Sequence, residues 1–222
     1  MQFKRKVKVG IFATTSALVL GLVAAPSVNH VLHAASDNVT TVSQTAAPTT
    51  VKAADQTVKA TSASGTKSNY SVSYVKSGTS SKTATYKKTA YNSKSDAKDE
   101  VDYIGAAKGS TVSLGNGTTA KLQGTMGRVY IHWNTNNWSV TAIANTADVQ
   151  ANPAKFAKQV NNQLTSQKLT DTNVTHGSVT VYDQTQSGQA NTVKWQQSDK
   201  VTQVKGQQAS TVMKLAADAQ SN

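Results

Sequence analysis

The chain has no cysteine, and that absence excludes several chemistries at once. There is no disulfide framework, no thiolate nucleophile, no sulfur-ligated metal site and no cysteine to carry a lipid. Any folded part must stand on its hydrophobic core. Acidic residues are scarce as well: 11 Asp and Glu face 23 Lys and Arg, for a formal charge of +12. Glu100 is the sole glutamate. Paired-carboxylate hydrolysis needs two groups about 5–10 Å apart across a cleft. Asp99, Glu100 and Asp102 fall instead near a helix start, where carboxylates complement the helix dipole. No G-x-S-x-G elbow occurs, and the S-x-x-K of Ser95 to Lys98 lacks its partner motifs. Only His132 and His176 lie beyond the N-terminal segment, without a spacing such as H-x-x-x-H. The sequence therefore predicts no catalytic residue, no metal ligand and no cofactor.

What is present begins with a leader. Lys4, Arg5, Lys6 and Lys8 precede an uncharged, mostly apolar run from Ile11 to Ala25, Pro26 breaks it, and His33-Ala34-Ala35-Ser36 follows. This is the layout of a secretory signal peptide over residues 1–35. The apolar run is shorter than the roughly 20 residues that span a bilayer. Cleavage after Ala34 or Ala35 puts Leu32 or His33 at the minus-three position, so an uncleaved leader acting as an anchor is the alternative to release. The expected location is extracellular or in the cell envelope.

Residues 36–90 are rich in Ser, Thr, Ala and Lys, with few large apolar side chains. Ordering costs roughly 1–2 kcal/mol of backbone entropy per residue, so this stretch is expected to be a disordered linker. Tyr70 to Val75 alternates like a strand and could join the sheet at its edge. The basic excess concentrates in residues 67–98. Lys67, Lys76, Lys82, Lys87, Lys88, Lys94 and Lys98 face Asp96 alone. Lys76, Lys82, Lys87 and Lys88 are candidate contacts for an anionic polymer, weighed against a solvated linker kept soluble by lysine. Export argues against a nucleic-acid partner.

From residue 91 to 222 the signals sharpen. Ser95 is a candidate cap for a helix carrying Ala97, Val101 and Ile104 and ending at Gly109. Thr111 to Leu122 reads as a hairpin around Gly115-Asn116-Gly117. Val129 to Trp133 and Trp138 to Ile143 form a second hairpin, with Val129, Ile131 and Trp133 on one face and Tyr130 and His132 on the other. Asn152 and Pro153 open a helix through Gln167 with Phe156, Val160 and Leu164 in a stripe. A strand at Ser178–Tyr182, a hairpin from Thr192 to Val204 and a helix from about Gln208 to Ala219 complete the pattern. The strand–strand–helix order recurs, with Trp133 and Trp195 at matching places. The expected fold class is α+β: an antiparallel β-sheet of hairpins with about three helices packed on one face, preceded by the linker.

Trp133 and Trp195 are expected in the core. Trp138 is the candidate for a partly exposed contact, with Tyr130 and His132 beside it as ligand or partner contacts. His132 is otherwise a half-buried strand residue bonded to a neighbour.

Two stretches, Tyr130-Ile131-His132-Trp133-Asn134 through Val140 with the following helix, and Asn191 through Val204 with Leu215-Ala216, resemble a group of small secreted or lipoprotein-like cell-envelope proteins of Gram-positive bacteria, above all lactic-acid bacteria. The resemblance covers roughly residues 91–219 and implies no assigned activity. The expected function of the chain is that of a secreted or envelope-associated non-enzymatic protein, a binding or accessory module of the wall whose partner is an anionic wall polymer or a protein. The alternatives are an inhibitor or regulator of an extracellular enzyme and a serine hydrolase.

Overall fold

Short alternating runs rich in Val, Thr, Ser and Tyr, parted by tight turns, favour strands, because branched and aromatic side chains pack well on a pleated surface. The computed structural model describes residues 38–54, 56–149 and 152–221, and the expected leader, residues 1–35, lies outside them. Among the described residues the strands are β1 (Asn38–Val39), β2 (Thr50–Lys52), β3 (Thr57–Thr66), β4 (Tyr70–Lys76), β5 (Lys82–Ala90), β6 (Ser110–Gly115), β7 (Thr118–Thr125), β8 (Arg128–Thr135), β9 (Trp138–Asn145), β10 (His176–Tyr182), β11 (Asn191–Gln197) and β12 (Lys200–Gly206). The helices are α1 (Lys94–Asp99), α2 (Thr146–Val149), α3 (Lys155–Ser166) and α4 (Ala209–Ser221).

All twelve strands join one sheet in the order β1-β3-β4-β5-β12-β11-β10-β9-β8-β7-β6, with β2 beside β1 along the outer edge of β3. Every pair is antiparallel except β9 and β10, which run parallel; α3 lies on the connection between them, as a parallel crossover requires. The hairpin turns are built locally: Asn116 and Gly117 take φ of 49° and 76° between β6 and β7, the left-handed pair that suits the strand twist.

This architecture overturns the α+β expectation. The described residues are mostly β, 46% strand and 22% helix, in a mixed sheet. The stretch expected as a disordered linker supplies β1 to β5. Its apolar side chains are small, but they alternate: Val58, Tyr70, Val72, Tyr74, Ala84 and Tyr86 are all buried on one face. Their cover comes from two places, one just upstream and one far along the chain. Residues 42–48 lie over them, with Tyr74 Oη donating to Pro48 O at 2.5 Å and Ala46 N donating to Tyr70 Oη at 3.0 Å. The α4 helix packs alongside, and Gln56 Nε2 donates to Thr211 Oγ1 at 2.8 Å.

The helices also divide differently from the expectation. Both α3 and α4 cover the apolar face, while α1 sits on the opposite face, where Ala97 and Val101 close over Val201. Ser93, not Ser95, caps α1, its hydroxyl accepting from Asp96 N at 3.0 Å. The helix stops at Asp99 rather than near Gly109, and Ile104 is exposed. Ala154, not Asn152, holds the N-cap position of α3. The two strand–strand–helix units do occur, as β8–β9–α3 and β11–β12–α4.

The centre of the apolar face is a row across three strands. Trp138 of β9 and Trp195 of β11 flank Gly177 of β10 in register. A Cβ at Gly177 would run into the six-membered ring of Trp138. Trp133, Trp138 and Trp195 are all at most 2% exposed. Glycine is needed there for room, not for an unusual backbone angle.

Candidate anion-binding surface

Period-two alternation sends the residues between the core side chains to the second face of the sheet. There the rows read Ser71–Lys87–Gln203–Lys194 and Ser73–Thr85–Lys205–Thr192 across β4, β5, β12 and β11. Lys59, next to the inward Val58 on β3, points the same way. Lys59, Lys87 and Lys205 are exposed. Over the described residues the twelve strands carry eleven lysines and arginines and no aspartate or glutamate. The carboxylates sit in helices, turns and loops. Lysine side chains in rows on adjacent strands repel one another unless a counter-charge lies over them.

One part of this second face is covered. After α1, residues 100–107 cross the sheet as a strap toward β6. Lys194 pairs with Asp102 at 2.6 Å and donates to Glu100 O at 3.1 Å. Ile104 N donates to Ser139 Oγ at 3.1 Å, and Asn134 Nδ2 to Gly105 O at 2.7 Å. The rings of Tyr103 and His176 meet edge to face at 5.3 Å. His132 lies beneath this strap, only 7% exposed, with Nδ1 3.0 Å from Thr141 Oγ1. Burial pushes its pKa below the usual histidine value, opposed by the Asn134 side chain and the Ile104 backbone. Among the described residues neither histidine is hydrogen-bonded to a serine hydroxyl or a carboxylate, and no three His, Asp or Glu side chains cluster as a metal site would need.

The three residues expected to share a contact patch are therefore split. Tyr130 and His132 do lie on one face, but the strap closes over His132. Tyr130 remains half-buried beside Ile143 and Tyr182, near the Arg128 guanidinium that sits 5.8 Å over the Tyr182 ring. Trp138, expected at the surface, is fully buried on the other face.

The four lysines expected to meet an anionic polymer separate too. Lys76 and Lys82 stand at the exposed β4–β5 end. Lys87 belongs to the open face. Lys88, its neighbour, points to the other side, in register with Thr202. There it lines a groove of about 730 Å³ with Lys200, Asn137, Asn173, Thr175 and the Gln197–Asp199 turn. Burial, and secondarily the nearby Lys200 charge, lower the Lys88 pKa. Lys59, Lys200 and Lys205 escaped sequence reasoning. The signal that finds them is the acid-free composition of the strands, visible only once the strand limits are known.

No family model, curated protein or solved structure matches this chain. The chemistry must therefore be read from the surface itself. No helix among the described residues is long and apolar enough to cross a membrane.

Proposed function

We propose that this is an exported, non-enzymatic binding protein of a Gram-positive cell envelope, holding an anionic wall polymer against the open face of its sheet. The observation that carries this reading is the strand composition: eleven basic side chains and no acidic one over the described strands. Lys59, Lys87 and Lys205 stand exposed among Ser, Thr and Gln side chains. Those neighbours donate and accept hydrogen bonds, and a flat pleated surface of this kind suits an extended, flexible chain of repeated negative charges. The leader-like segment at residues 1–35 and the resemblance to envelope proteins supply the compartment.

The test is sedimentation of the protein with isolated walls over a salt series. Retention should fall steeply between low salt and 0.5 M, because exposed charges are screened over about 10 Å at 0.1 M. Walls stripped of their phosphate polymer should retain little protein. Replacing Lys59, Lys87 and Lys205 together by glutamate should weaken retention by at least about tenfold, as reversing charges at a polyanion surface turns attraction into repulsion. Retention unchanged by salt and by that triple variant would refute the reading.

A further inference from the structure

The groove around Lys88 has a different character from the open face, and it holds what a single compact anion needs. Lys88 and Lys200 lie on neighbouring strands on the same side of the sheet, in register with Thr202 and Ala90. Among the described residues neither ammonium has an ion-pair or hydrogen-bond partner, and the same holds for the Asn173 carboxamide and the Thr175 and Ser198 hydroxyls. The walls behind them are fixed. Asn137 Nδ2 donates to Val174 O at 2.9 Å, Thr175 N to Gln196 O at 3.1 Å, Gln196 Nε2 to Ser198 O at 2.8 Å, and Tyr91 N to Asp199 O at 2.8 Å. Ser198 holds φ at 60° in the turn, so its position is set by the backbone. The groove is therefore pinned while its polar groups stay uncommitted.

We propose that this groove is a discrete binding site for one phosphate-bearing small group, a phosphomonoester or phosphodiester, with Lys88 and Lys200 supplying charge. Asn173, Thr175 and Ser198 supply hydrogen bonds to the remaining oxygens. Two ammonium groups that repel each other across a polar groove gain most from a ligand with several acceptor oxygens and more than one negative charge. A planar monoanionic carboxylate matches the pair less well. Asp199 lines the same groove and carries the one negative charge there. A carboxylate beside the two ammonium groups favours an ester bearing hydroxyls that can donate to it over a bare polyanion. Half-burial of Lys88 reduces the water that competes for the anion, and that burial, with the nearby Lys200 charge, lowers its pKa.

The experiment follows the lysine side-chain resonances of the protein by NMR while sn-glycerol 3-phosphate is added, with acetate as a second arm. Lys88 and Lys200 should shift with saturation, and the Lys88 pKa should rise when the phosphate is bound. Lys88→Met should weaken binding by at least about tenfold, the usual scale for losing one charge-assisted contact, with its thermal unfolding recorded to show that it folds. Lys155→Met, on α3, should bind as the unsubstituted protein does. The site is overturned if Lys88→Met binds as tightly as the unsubstituted protein. It is equally overturned if acetate shifts the same resonances with equal affinity, or if the Lys59, Lys87 and Lys205 triple variant loses glycerol phosphate as fully as it loses walls. Loss of wall retention alone in that triple variant, with glycerol phosphate still bound, would leave this site standing and bear only on the open face.

Discussion

Lys87 and Lys88 are adjacent in sequence and live on opposite sides of one sheet. Lys87 stands in water on a row of Ser, Gln and Lys side chains. Lys88 is half-buried at the end of the face that α3, α4 and residues 42–48 cover. The apolar face gains its stability from tightly fitted rings and branched aliphatics around Gly177. The polar face buries apolar side chains only under α1 and the strap, and elsewhere it stands open with its lysines in water. One face is therefore constrained by shape and the other by charge, and substitutions on each should be punished in different assays.

The largest expected effect is on the fitted face. Trp138→Ala should cost about 3–5 kcal/mol, the usual range for truncating a fully buried aromatic ring. Gly177→Val should be of similar severity, since its side chain would need the space that the Trp138 ring occupies. Urea unfolding of both variants checks this, and a loss under about 1 kcal/mol would mean that the row is loosely packed. On the charged face the Lys59, Lys87 and Lys205 triple variant should unfold within about 1 kcal/mol of the unsubstituted protein, as exposed substitutions do, although it loses walls. A large destabilisation there would dissolve the distinction between the faces.

Between these extremes lies His132 under the strap. Its pKa in the folded chain is depressed by burial. The folded form therefore binds fewer protons than the unfolded form as pH drops below the unfolded value of about 6.5. Stability should be complete above that pH and decline below it, and His132→Gln should flatten the decline in thermal melts at pH 5 and pH 7.5. The smallest effect is expected at the strap's ion pair. Asp102 is largely exposed, so Asp102→Asn should cost less than about 1 kcal/mol while increasing hydrogen exchange at Ile104.

The sequence made the β6–β7, β8–β9 and β11–β12 hairpins legible because their turns and alternation are local. It also made α3 and α4 legible through their four-residue apolar stripes. It suggested β4 through the alternation of Tyr70 to Val75, although β4 lies between β3 and β5 rather than at an edge, and it did not reveal β2, β3 or β5, where the inward residues are Val, Ala and Tyr rather than Leu or Ile. Such a strand looks too poor to fold until its cover is known, and that cover comes from α4, some 120 residues further on. Trp138 was misplaced for a related reason: a residue next to a hairpin turn looks exposed, and only the parallel partner β10, with its glycine, encloses it. Of the candidate site, the lysines of β5 were visible as a basic run. Their division between two faces depends on register with β12, which no local pattern carries.

The place of β5 beside β12 also governs the order in which the molecule can be made. A nascent chain completes β3, β4 and β5 first, yet the strand beside β5 in the sheet is β12, Lys200–Gly206, made only after β6 to β11. Until that strand has been synthesised, the basic meander has one open edge, and only residues 42–48 are available to cover its row of Tyr and Val side chains. The sheet therefore closes only once Lys200–Gly206 has been made, and β3 to β5 wait, soluble through their lysines, for a partner strand that lies far downstream.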